Sequence, residues 1–204
     1  MAGARDRESK TAAELIAELE IDPGHRARRG ARQRAHLERV AGGLRALAPL
    51  HRDLAKAGIV VGHVDELRQS GQRYDAAIPI LLEWLPRLKD AVDREVVVRA
   101  LSVPWAGDKA MRTLLARFRA TPNAEFQLKW AIGNGIEILA SGAYFAEMAA
   151  LARDTAHGKA RQMVVLGLGK FHTAESRQIL TGLLDDADVR DHAAEALERQ
   201  RTGR

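Results

Sequence analysis

AIPILLEWLPRLKDAVDREVVVRAL, residues 77–101, encodes two short helices in succession. Ile78, Leu81, Leu82 and Leu85 stand at i, i+3, i+4 and i+7, a single apolar stripe along one helix. A polar break follows, where Asp93 is placed to cap a second helix striped by Val97, Ala100 and Leu101. Two helices with one apolar side each cannot bury those sides alone. They need copies of themselves stacked alongside.

The chain supplies the copies. The first-helix stripe recurs as Met111/Leu114/Leu115/Phe118, Phe145/Met148/Ala149/Ala152 and Ser176/Ile179/Leu180/Leu183, at offsets of 33, 34 and 31 residues. The second-helix stripe recurs as Leu128/Ala131/Ile132/Gly135, Ala160/Met163/Val164/Gly167 and Val189/His192/Ala193/Ala196, at offsets of 31, 32 and 29. Two independent series agree on a period that falls in the solenoid range. Small residues collect on the second helices, where they let neighbours approach closely. The expected fold is all-α: a right-handed α-solenoid over 59–204 with four clear pairs between about 76 and 200, preceded by a helical, partly basic arm over 1–58. Residues 59–75 hold room for a degenerate capping pair.

Composition agrees. Of 204 residues, 46% are hydrophobic but only 4% aromatic, so aliphatic side chains must do the packing, which suits close helices better than a β-sandwich. With no cysteine, disulfides, thiolate metal sites and cysteine nucleophiles are excluded. The N-terminus lacks the apolar core of a signal peptide, and no apolar run reaches the roughly 18 residues of a membrane span. A cytoplasmic protein without membrane partners is expected. A net charge of +5 is mild for a nucleic-acid binder without excluding one.

In the arm, Thr11 and Glu14 have capping-box spacing ahead of Leu15, Ile16 and Leu19, so a short helix is expected to about Glu20, ended by Asp22-Pro23-Gly24. One long helix then runs from about His25 to Ala57, with a narrow seam of Leu37, Val40, Leu44, Leu47, Leu50 or His51, and Leu54. Pro49 is expected to kink or break it, making two helices a close alternative, and Gly58 closes the segment. Ile59-Val60-Val61 reads as an extended approach to a short helix from Val64 to Arg68. The seam offers a homodimer contact as an alternative to packing within a monomer.

The final pair, TAESRQILTGLLDDADVRDHAAEALERQ, resembles the short HEAT-like repeats of many bacterial proteins, including phycobilisome-lyase-type repeats. Leu183-Leu184-Asp185, Asp188-Val189-Arg190, Ala193-Ala194 and Ala196-Leu197 carry the resemblance. It extends more loosely to 77–101 and by spacing to the middle pairs, about 125 residues in all. It implies a fold and no activity. HEAT-like alkylpurine DNA glycosylases use aromatic residues and an aspartate on this fold. Trp84, Trp105, Asp108 and Trp130 supply those residue types in a different spacing, so no catalytic role is carried over.

Three groups of candidate residues emerge. Lys129, Arg161 and Arg190 each follow the first stripe residue of a second helix, so stacking could align them into a basic ladder for an acidic peptide or a phosphate backbone. The plainer reading has such a cation pairing with an acidic group of the adjacent repeat and fixing the stack. In the first pair the position is Val98. Asn134, within WAIGNGIEIL, is a polar side chain amid helical glycines and a contact point for a ligand if it faces the concave surface. Arg26, Arg28, Arg29, Arg32 and Arg34 belong to a stretch, Pro23–Arg45, with seven arginines against one acid, Glu38. They could neutralise phosphates, or could form a solvated helix surface partly neutralised by the acidic 14–22 segment, since they spread around the cylinder.

The seven histidines form no His-x-x-x-His or Glu-x-x-His arrangement, so no metal or other cofactor is expected. Gly133-Asn134-Gly135 and Gly167-Leu168-Gly169 lack a following Gly-Lys-Ser/Thr and lie within helical patterns, so close packing explains them better than phosphate binding. No catalytic constellation is legible. The leading expectation is a non-enzymatic module that holds a protein or peptide along the second helices. The alternative is nucleic-acid binding through the arm and the basic second-helix positions.

Overall fold

The computed structural model describes Thr11 and residues 22–203, with the side chains of 32–41 and of residue 44 left aside. All regular structure among these residues is helical. The chain divides into two units, Met1–Arg45 and Ala46–Arg204. Glu14 of the expected capping box and the helix to Glu20 lie outside the described residues, as do the side chains of Leu37, Val40 and Leu44.

Helix α1 spans Pro23–Lys56. Asp22 begins it: its carboxylate accepts from the Gly24 and His25 amides at 2.9 and 3.0 Å, and Pro23 follows where a missing N–H is harmless. Asp22-Pro23-Gly24 therefore opens this helix. The helix also continues through Pro49. Leu47, Leu50 and Leu54, on either side of the proline, are buried in the core of the second unit, and their burial offsets the lost hydrogen bond. That burial also accounts for the division after Arg45, thirteen residues ahead of the arm boundary expected at 58. Gly58, at φ 80°, ends α1 with amide bonds from Gly58 to Ala55 and from Ile59 to Leu54, the Schellman pattern.

A single turn, α2 (Glu66–Gln69), buries Leu67. Four pairs follow. The first is α3 (Ala77–Trp84), extended by a 3₁₀ turn over Leu85–Arg87, with α4 (Ala91–Leu101). The second is α5 (Gly107–Ala120) with α6 (Phe126–Ile138). The third is α7 (Phe145–Arg153) with α8 (Gln162–Leu168), and the last is α9 (Ala174–Gly182) with α10 (Arg190–Thr202). Helix α4 is capped by Asp90, not Asp93. Asp90 is extended (ψ 138°) and accepts from the Val92 amide at 2.8 Å, whereas Asp93 is already inside the first turn and buried. Burial and the nearby Asp90 push the Asp93 carboxyl above its ordinary value.

Within each pair the two helices pack on each other, and the second helices also pack in sequence, α4 on α6, α6 on α8 and α8 on α10. The apolar stripes meet in one core, with Phe145, Met163 and His192 only half-buried. Glycine sets the closeness of the second helices. A Cβ on Gly135 would stand 2.7 Å from Leu114 and Ser102; one on Gly167 would stand 3.1 Å from the Glu137 backbone and 2.8 Å from Met148. A side chain at either position would force its neighbours to shift.

Candidate functional site

The turns leading into α4, α8 and α10 share one device. Asp90, Asp154 and Asp186, spaced by 64 and 32 residues, each accept from the amide two residues on, at 2.8, 3.0 and 3.0 Å. At the missing step of this 32-residue register stands Pro122, which cannot supply a carboxylate. Aspartates recurring ahead of three of the four second helices were the sequence signal for these turns. The apolar stripes, aligned at slightly different offsets, did not reveal it.

Lys129 and Arg161 occupy the same step of that register and are both buried, at 3% and 0% exposure. Each reaches the turn of the next pair. Arg161 donates to the Gly158 and Ala152 carbonyls at 3.1 and 2.8 Å and to Asp186 at 2.6 Å. That guanidinium holds the Asp186 carboxyl below its ordinary value, against the opposing effect of partial burial. Lys129 Nζ donates to Asn123 Oδ1 at 2.8 Å, contacts His157 Nδ1 at 2.9 Å and lies 5.3 Å from the centre of the Phe118 ring. Desolvation lowers the Lys129 pKa, and Asp154 pulls the other way. An ammonium only donates, so Nδ1 of His157 accepts and its Nε2 carries the hydrogen, facing Asp154 at 3.5 Å. A third tie, Arg94 to Glu125 at 2.8 Å, links the first pair to the second.

Arg190 stands apart from Lys129 and Arg161. It is the exposed first residue of α10, 3.8 Å from Asp191, and Ala193 fills the buried step. Asn134 is half-buried on α6. With Phe126 (38% exposed) and half-buried Trp130 it forms an i, i+4, i+8 line, the accessible edge of a helix whose Leu128, Lys129, Ala131, Ile132, Gly133, Gly135 and Ile136 are all enclosed. The other second helices leave Glu95, Val96 and Arg99 half-buried on α4, Gln162 and Met163 half-buried on α8, and Glu195 exposed beside a half-buried Arg199 on α10. Their charges are matched: Arg99 with Glu95 at 2.6 Å, Lys170 with Glu137 at 3.1 Å and Arg199 with Glu195 at 2.8 Å.

Arg26, Arg28 and Arg29 are exposed on α1, with Arg28 3.5 Å from Asp22. The side chains of Arg32 and Arg34 lie outside the described ones. Of the four residues that match the glycosylases in type, Trp84, Trp105 and Asp108 are engaged elsewhere. Trp84 donates to Asp53 at 3.0 Å, Trp105 meets Tyr74 edge-on at 5.7 Å, and Asp108 accepts from Tyr144 and Arg112. Among the described residues no group of His, Asp or Glu is arranged to hold a metal, and no helix is long and apolar enough to cross a membrane. An open recess of about 380 Å³ between α7 and α9, lined by Arg153, Glu175, Gln178, Ile179, Gly182 and Leu183, holds none of the candidate residues. No protein-family model, no curated protein and no solved structure matches the chain.

Proposed function

We propose that this chain is a right-handed solenoid of HEAT-like pairs that binds a protein or peptide along the accessible edge of its second helices, without catalysis of its own. The sequential packing of α4, α6, α8 and α10 supports the solenoid. So do polar side-chain contacts from one pair to the next, Arg94–Glu125, Arg112–Tyr144, Lys129–His157 and Lys170–Glu137, whose partners lie 28 to 33 residues apart.

One observation carries the choice of partner. Lys129 and Arg161 are spent inside the stack, while the accessible edge keeps an indole, an amide and internally matched charges. A phosphate backbone needs unmatched cations. A half-buried tryptophan beside an amide suits a peptide, where such side chains act as anchors. The exposed Arg26, Arg28 and Arg29 favour nucleic acid as a second reading, confined to the first unit. Cytoplasmic residence fits either reading.

The test is selection of peptides on the wild-type chain from a displayed random library, followed by affinity measurement on two variants. Trp130→Ala is expected to weaken the selected peptides by roughly thirtyfold, the loss of about 2 kcal/mol typical of an anchor. The triple variant R26A/R28A/R29A is expected to leave them unchanged. Salt-sensitive binding of duplex DNA that is lost in the triple variant, with no Trp130-dependent peptide recovered, would reverse the order of the two readings.

A further inference from the structure

His157 sits where the turn of the third pair meets the second. From α6 it faces Lys129 at 2.9 Å, and from α5 it faces Phe118, edge-on at 5.1 Å, together with the charge of Arg119. On its own turn it faces Asp154 and Arg161. The loop before α6 closes over the same place, where Asn123 donates to the Ala156 carbonyl at 2.7 Å. Three cations thus face the ring against one carboxylate. Asp154 is half-exposed and already accepts from the Ala156 amide, so it offsets the cations only in part.

We propose that the Lys129–His157 contact is an acid-sensitive latch between the second and third helical pairs, closed by a neutral imidazole and opened when that ring takes a proton. In the closed state Nδ1 offers its lone pair to the ammonium. A proton on Nδ1 removes the acceptor and places a second positive charge beside the first, on a Lys129 that is only 3% exposed. Burial, then Lys129, already holds the ring below its ordinary value of 6.5, which is the direction that keeps the latch closed at neutral pH. Gly158, at φ 51°, breaks the 3₁₀ turn over Thr155–Arg161 and gives the released segment a place to pivot. The latch does not depend on which partner the second helices take.

The experiment is an NMR titration of the histidine rings in the full chain, combined with amide exchange corrected for its intrinsic pH dependence. His157 is expected to titrate below its ordinary value of 6.5, and exchange over 155–161 to quicken several-fold as the ring fills. His157→Gln keeps a carbonyl acceptor for Lys129 and removes the titration, so its 155–161 segment is expected to stay protected across the acid range. Lys129→Met removes the facing charge and is expected to raise the His157 titration toward the ordinary value. An unshifted His157 with unchanged protection overturns the proposal. So does a His157→Gln chain that still opens in acid.

Discussion

Arg161 and Asp186 join consecutive helical pairs through a 2.6 Å contact in which the guanidinium is fully enclosed and the carboxylate is 21% exposed. Two main-chain carbonyls also accept from the guanidinium, so each of its three nitrogens has an acceptor.

Removing the carboxylate strands a buried charge. Asp186→Ala is therefore expected to destabilise the chain by about 3 kcal/mol in urea denaturation, more than Arg161→Met, which removes the charge along with its partner's purpose. The pH sign follows from the lowered Asp186 pKa. The contribution is present above the unfolded value of 3.8 and is lost as pH falls through the lower folded value. Asp186→Asn should flatten the acid limb of the stability curve below pH 4; an unaltered limb would place the acid sensitivity elsewhere.

Glycine substitutions should divide by sign. A Cβ on Gly169 would stand 3.0 Å from the Cα, Cβ and carbonyl oxygen of Ala196, and backbone cannot step aside as a side-chain tip can. Gly169→Ala is expected to cost about 1–3 kcal/mol. Gly42, inside α1, has nothing within 4 Å of its would-be Cβ, so Gly42→Ala should gain up to about 1 kcal/mol of helix stability. Thermal melts of the two single variants, moving in opposite directions, are the check.

Asp90 supplies the first of the three aspartate turns. Asp90→Ala should lower stability by about 1 kcal/mol and fray the start of α4, with faster amide exchange at Val92. Asp93→Ala removes no cap and should leave that amide protected.

The two tyrosines report on two junctions. Burial pushes the Tyr74 hydroxyl up to about 12, where it donates to the Ala100 carbonyl at 2.8 Å. The bond to Asp108 raises Tyr144 as well. Absorbance at high pH should therefore show no tyrosine ionising near 10 while the chain is folded. The folded Tyr74 value is raised, so its contribution is present below pH 10 and is lost as pH climbs through about 12. Tyr74→Phe should cost about 1 kcal/mol at neutral pH and remove that alkaline loss.

Much of the helical plan was legible in the residues. The stripes from Ile78 to Leu183 and from Val97 to Ala196 needed only the 3.6-residue period, because burying one side of a helix is a local pattern. Gly58 likewise announced its helix end. The cap of α4 was less legible, since Asp90 and Asp93 both stand near the break and the choice depends on where the chain leaves its extended stretch. The start of α1 was hidden for a related reason: Asp22-Pro23-Gly24 suits a helix end and a helix start equally well in local terms.

The direction of the polar side chains lay beyond the residues alone. Lys129, Arg161 and Arg190 read alike along the chain, each following a buried position. Yet two are enclosed and one is exposed, because Arg190 stands three residues ahead of Ala193, which holds the buried step that Lys129 and Arg161 share, and so falls at the exposed start of α10. Whether such a cation meets water or the neighbouring turn is set by how one pair rests on the next, and that depends on residues some 32 positions away. The periodic burial was written into the amino acids; the inward turn of the cations, and with it the neutral edge around Trp130 and Asn134, came from the stacking.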